Sequence, residues 1–264
     1  MYELVDSLTY KLRSISPQMW PVFELTYRLF KHEAVDFLEG ASIDIIHLEI
    51  SNNSFCRFLA EMLPSLDNFL SYGSDVIKTH VDYRQMMVDI YTTSITNEQL
   101  GENDRVNGSK LAESILLNLR GAVDDVRYFA FSSSPQISQH YLKHLQTIIA
   151  TSLKLVDNTE TLALKLANLE VLVNAVLYNP SAALHLMEVT KAGSARVFFD
   201  QWFIAINTDA RLPRVHDKKL SVLALCALME MSPATVPESL REGWPGIVGG
   251  ALKIFKSLPK AIEG

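Results

Sequence analysis

The stretch His216 to Met231, HDKKLSVLALCALMEM, constrains the fold more than any other part of the chain, because its spacing predicts a helix with apolar residues on more than one face. Leu220, Leu223, Ala227 and Met231 recur at spacings of three and four, and Val222, Leu225, Cys226 and Met229 fill much of the remaining circumference. Such a helix needs neighbours on more than one side. His216 and Asp217 supply polar and acidic character where a helix leaves unpaired N–H groups and partial positive charge. Ser232 and Pro233 end it, since the residue before a proline is pushed out of the helical region.

The surroundings of that helix read as more helices. Tyr2 to Ile15 is amphipathic, and Ser16-Pro17 predicts an N-cap followed by proline at the first position of a helix through Trp20, Phe23, Tyr27 and Phe30. Further helices are expected over Glu61–Tyr72, Asp82–Ile95, Ser109–Gly121, Leu145–Val156 and Thr161–Tyr178. Ser181–Val189, Ala195–Asn207 behind a Ser194 cap, and Pro245–Leu258 with Trp244 at its entry follow the same pattern. Thr96–Gly108 is polar, acidic and glycine-punctuated, which predicts an exposed loop. Two stretches lose helical periodicity: Ala41–Ala60, and a stretch from Val126 to about Leu145 with three consecutive serines and a proline. No run suggests paired strands. The fold class expected is all-α, a HEAT-repeat (armadillo-type) solenoid of antiparallel helix hairpins, one array over 1–264, with degenerate repeats of roughly 40 to 47 residues.

Composition excludes several alternatives. With 48% hydrophobic and 20% charged residues, the 264-residue chain can bury a large core, and disorder is not expected. No apolar run approaches the ~18 residues of a membrane span. The N-terminus lacks the apolar core and cleavage site of a secretory signal. Cys56 and Cys226 offer neither a disulfide framework nor metal-ligand spacing, which fits a reducing compartment. A net charge of −6 argues against general nucleic-acid binding and favours basic partners.

Five segments, in one order, resemble a known family. NAVLYNPSAALHLME (Asn174–Glu188), FFDQWF (Phe198–Phe203) and HDKKLSVLALCALMEM resemble the C-terminal HEAT repeats of the importin-seven/importin-eight branch of the importin-beta nuclear transport receptors. SISPQMWPVFELTYRLFK (Ser14–Lys31) and MLPSLDNFLSYG (Met62–Gly73) resemble the same branch further upstream. The resemblance implies a superhelix that binds protein cargo, is controlled by the small GTPase Ran and shuttles between cytoplasm and nucleus, with nucleoporins as further partners. Receptors of this kind are about four times longer and bind Ran-GTP through N-terminal repeats without counterpart here, so a fragment is expected. Against the family pattern, 41–60 and 126–145 look inserted. Both are about twenty residues, the coding length of a compact intron, which suggests translated introns; genuine surface loops are the alternative.

Catalytic readings are weak by comparison. His216 and Cys226 lie ten residues apart along one helix, about 15 Å, beyond hydrogen-bond reach. Asp124-Asp125 begins a metal motif, but Arg127 and Tyr128 supply no third carboxylate, and Asn103-Asp104 lacks downstream ligands. Gly108-Ser109-Lys110 lacks the strand and preceding glycine of a phosphate loop. No catalytic, cofactor or metal residues are therefore expected. Trp20, Trp202 and Trp244 suit either core packing or contacts to cargo or nucleoporins. Lys218 and Lys219, at a helix start where cations are disfavoured, suit an acidic partner, and the acidic run Glu98–Asp104 suits basic cargo. A purely structural HEAT scaffold is the competing reading of the whole chain, and a helical metal-dependent enzyme a distant third.

Overall fold

A computed structural model describes residues 2–39, 62–98, 100–118, 135–158, 161–208, 212 and 214–263. Segment 41–60 and positions 126–134 of the second unusual stretch lie outside the described residues. All regular structure among the described residues is helical, so the expected all-α class holds. The chain divides into two compact units, Met1–Ala122 and Val123–Gly264.

The first unit contains α1 (Tyr2–Leu12), a 3-10 turn (Pro17–Met19), α2 (Trp20–Glu39), α3 (62–72), α4 (Ser74–Thr79), α5 (Val81–Thr96) and α6 (Glu102–Asn118). Ser16-Pro17 does start a helical segment, but as a 3-10 turn whose serine makes no side-chain cap bond; the α-helix begins at Trp20. The core is aromatic. Trp20 stacks on Tyr83 with ring centroids 5.0 Å apart, and both meet Phe23. Phe69 closes the cluster against Trp20 and Phe23. Gly73 leaves room for it, since a Cβ there would stand 2.8 Å from the Trp20 ring. Polar bonds fasten the rim: Asn68 Nδ2 donates to Asp6 Oδ1 at 2.7 Å and Thr9 Oγ1 at 2.9 Å, joining α3 to α1.

Helix α6 corrects the sequence reading. Thr96–Gly108 is not an exposed loop, because helix resumes at Glu102, and Ser109 lies mid-helix, buried, donating to the Arg105 carbonyl. The glycine that reads as loop punctuation is a packing residue. A Cβ on Gly108 would come within 2.8 Å of the Ser94 Cβ and 3.1 Å of the Ile95 Cγ2 on α5, so the α6 backbone lies directly against α5 side chains there.

The second unit contains α7 (Pro135–Asn158), α8 (Leu162–Tyr178), α9 (Pro180–Thr190), α10 (Ser194–Asn207), α11 (Val215–Met229), two 3-10 turns (Pro233–Thr235, Glu238–Leu240) and α12 (Gly246–Glu263). Helix α7 starts ten residues ahead of the position, Leu145, from which the sequence reading resumes helix. Consecutive helices pack pairwise: α7 on α8, α8 on α9, and α11 on α12, with α8 also against α11. Asn179-Pro180 is a cap as well as a break. Asn179 accepts from the Ala182 N–H at 3.0 Å while Pro180 takes the first helical position. Ser194 does not cap α10; Gly193 sits at the N-cap with φ +80°, and Glu188 accepts from the Gly193 and Ala195 N–H groups at 2.9 and 3.3 Å. The Ser194 hydroxyl instead donates to the Met187 carbonyl at 2.5 Å.

Glycines separate tight from open sites, which gives a stability test. Gly108→Val forces α5 and α6 apart and is expected to cost about 1–3 kcal/mol. Gly249→Ala on α12 meets no atom within 4 Å, and is expected to be neutral or stabilising by about 0.5 kcal/mol through helix propensity. Urea denaturation of both variants checks the contrast.

Candidate interaction site

The residues singled out from sequence disperse over the two units. His216 is exposed at the start of α11, Asp217 is buried, and Cys226 is half-buried further along the same helix. Asp124 and Asp125 lie outside the described residues. Asn103 is exposed and Asp104 half-buried in the first turn of α6, where acids favour the helix dipole. Among the described residues no group of three or more His, Cys, Asp or Glu side chains gathers to hold a metal, and no helix is long and apolar enough to cross a membrane. Lys218 is buried, and its ammonium donates to Ser257 Oγ at 2.9 Å, tying α11 to α12; Lys219 is exposed.

The three tryptophans part company. Trp202 is fully buried and its indole N–H donates to Ser221 Oγ at 3.2 Å; Trp20 is buried in the aromatic core of the first unit. Trp244 alone reaches a surface. It lines a cavity of about 210 Å³, walled by Phe199 and Phe203 of α10, with Leu240 and Ile247 beyond and Arg196 and Asp200 at its polar edge. Phe199 and Phe203 stack at 6.2 Å, one turn apart, as do Arg196 and Asp200, which pair at 3.2 Å. Gly250 lets α12 approach the Phe203 ring, where a Cβ would stand 2.8 Å away. An apolar, aromatic-walled recess with one ion pair at its edge suits a hydrophobic side chain presented by another polypeptide. Phe199 and Phe203 escaped the sequence reading; their four-residue spacing, matched by Arg196 and Asp200, carried the signal.

A second constellation is structural. Arg214 at the head of α11 donates twice to the Glu170 carboxylate of α8, at 2.9 and 2.8 Å, and once to Asp217 Oδ2 at 3.0 Å. Asp217 in turn accepts from the Arg214 backbone N–H at 3.3 Å, which satisfies the donor of the N-cap residue. Its other oxygen stands 2.7 Å from the guanidinium but out of line for a hydrogen bond. Two acids thus share one cation. Burial pushes the Glu170 carboxyl up to about 7, the Asp217 carboxylate adds to the rise, and Arg214 opposes it without cancelling it.

Relatives are found by sequence. No family model and no solved structure matches. Importin-8 of Danio rerio is 24% identical over 264 residues, spanning 97% of this chain. Importin-8 of Homo sapiens is 25% identical across 87% of it, and the importin beta-like SAD2 homolog of Arabidopsis thaliana 23% identical across 89%. The chain is thus similar along most of its length to importins and importin beta-like proteins. Its pairwise-packed helices are consistent with a HEAT-type solenoid. The chain spans about a fifth of the length of those relatives: 22% of the Danio rerio protein, 19% of the human one and 20% of the Arabidopsis one.

The Glu170 site sets a pH signature. Its carboxyl rises from an ordinary 4.5 to about 7 in the fold, so between those values the folded chain keeps a proton that the unfolded chain has lost. This contribution favours folding fully below about pH 4.5 and is lost as pH rises towards 7. Measured against Glu170→Gln, which cannot titrate, the unaltered protein is expected to lose on the order of 1–3 kcal/mol across that window. Chemical denaturation of both proteins at several pH values checks the slope; a difference independent of pH contradicts it.

Proposed function

We propose that this chain acts as part of a nuclear import receptor: it binds protein cargo, in a receptor controlled by Ran-GTP that shuttles between cytoplasm and nucleus. The observation that carries this reading is the match to importin-8 of Danio rerio along 97% of the chain, on a fold of paired helices. The chain supplies binding surface, and no chemical step is assigned to it. Its net charge of −6 suits basic cargo, through electrostatic steering. The recess between Phe199, Phe203 and Trp244 suits an apolar anchor residue of cargo or of a nucleoporin.

The two stretches 41–60 and 126–145 belong to the same proposal as translated introns. Sequencing mature transcripts from the locus decides it: messages lacking both segments support intron origin, and messages retaining both make them loops of the functional protein.

Two measurements test the transport reading. Binding of the full-length gene product to Ran should be strong with GTP and weak with GDP; a scaffold without a transport role has no reason to distinguish the nucleotides. For this chain, Trp244→Ala is expected to weaken binding of a phenylalanine-bearing nucleoporin peptide about tenfold while leaving the thermal midpoint nearly unchanged, because Trp244 is only half-buried. Equal affinity of the variant and the unaltered chain removes the recess as the contact.

A further inference from the structure

Lys218 is a buried cation held by a neutral group. It is 7% exposed and lies in the first turns of α11, where a helix presents partial positive charge. Its ammonium donates to the Ser257 hydroxyl of α12 at 2.9 Å. Among the described residues no carboxylate pairs with it, and Asp217, its neighbour in sequence, is committed to Arg214. A buried lysine is ordinarily matched by an anion, so one hydroxyl leaves most of that electrostatic demand unmet. The rest of this edge is basic too. Lys253 precedes Ser257 by one turn of α12, and its ammonium donates to Asn207 Oδ1 of α10 at 2.5 Å, again an uncharged partner. From Gly246 to Ile262 the only charged residues are Lys253, Lys256 and Lys260.

Ser257 is the one group placed to carry the missing anion. Its Oγ accepts from Lys218 and donates to the Ile254 carbonyl at 2.8 Å, which fixes it beside the ammonium, and the residue is only half-buried. We propose that Ser257 is a phosphorylation site, and that the phosphoserine locks α12 onto α11 through Lys218, with Lys253 as the second cation. A phosphoryl group adds about −1.5 to −2 charge and three strong acceptor oxygens at the point where the fold has gathered cations without acids. The donor is a nucleoside triphosphate. The Ser257 Oγ bonds to the γ-phosphorus, the bond from that phosphorus to the β–γ bridging oxygen breaks, and the nucleoside diphosphate leaves with the electron pair. The hydroxyl proton passes to the catalytic base of the kinase. Access comes from Pro259, which has no N–H and leaves the Phe255 carbonyl without its helical bond, so the turn around Ser257 opens locally. The opened stretch KIFKSLPK (Lys253–Lys260) presents the serine between lysines, which suits a kinase directed to basic sequences. This inference does not depend on the transport reading.

The test incubates the protein with magnesium-ATP and protein kinase C, which takes serines flanked by basic residues, and locates the phosphate by mass spectrometry. Phosphate on Ser257, absent from Ser257→Ala, is the expected result. Phosphorus NMR of the modified protein then reads the site. The second ionisation of phosphoserine, ordinarily near pH 6, should have an acid constant about tenfold larger, because neighbouring cations favour the dianion. Lys218→Met should restore the ordinary value, and Lys253→Gln, at an exposed position, should restore part of it; circular dichroism melts confirm that both variants fold. Phosphorylation should also raise the thermal midpoint of the unaltered protein. A Ser257 left unmodified by the kinase overturns the proposal, as does a phosphate that titrates in the fold as it does in the denatured chain. An acid shift that survives both lysine substitutions, or a thermal midpoint lowered by the modification, overturns the lock.

Discussion

Burial of α8 is the constraint on which the second unit depends. From Ala167 to Val176 every residue of this helix is buried, and α7, α9, α10 and α11 all pack against it. A helix enclosed in this way has no solvent face on which to place polar residues, yet Asn168, Glu170 and Asn174 sit within it. Each must find partners inside the protein. The two asparagine amides donate back to carbonyls one turn earlier, at 2.9 and 3.1 Å. Glu170 is met from another helix entirely, by Arg214, so the charge that α8 buries fixes where α11 begins.

The same constraint accounts for the segments singled out in the sequence. In NAVLYNPSAALHLME, Asn179 and Pro180 start α9, and Glu188 reaches forward to close the N-terminus of α10 and to accept from Ser239 at 3.1 Å. In FFDQWF, Phe198 and Trp202 are core, and Phe199, Asp200 and Phe203 reach the recess. In HDKKLSVLALCALMEM, Asp217 caps, Lys218 clamps α12, and Ser221 accepts from the Trp202 indole. These motif residues build joints between helices, and the surfaces available for recognition are those the joints leave over.

The fold class was legible in the sequence because helical periodicity and the proline and glycine breaks survive translation into structure. The limits of α5, α8 and α11 fall within a residue or two of the expected ones. Where the reading failed, tertiary contact outweighed local pattern. Gly108 looks like loop punctuation until α5 lies against it. Leu223 belongs to the expected apolar stripe of α11, yet it is exposed while Ala224, Leu225 and Leu228 are buried; that helix is apolar nearly all round, so periodicity alone could not choose its buried side. The recess was harder to see, because it combines α10 with the turn around Leu240 and Trp244, and no local window holds both. Lys218 drew attention as a cation at a helix start, and its explanation lies 39 residues away at Ser257.

Native-state hydrogen exchange across the chain tests this account most directly. If α8 is the enclosed centre of the second unit, its amides from Ala167 to Val176 should exchange only through global opening and be the slowest in that unit, with α12 exchanging faster through local fraying. Amides of α8 that exchange as fast as those of α12 would contradict the enclosed arrangement on which the Glu170–Arg214 site depends.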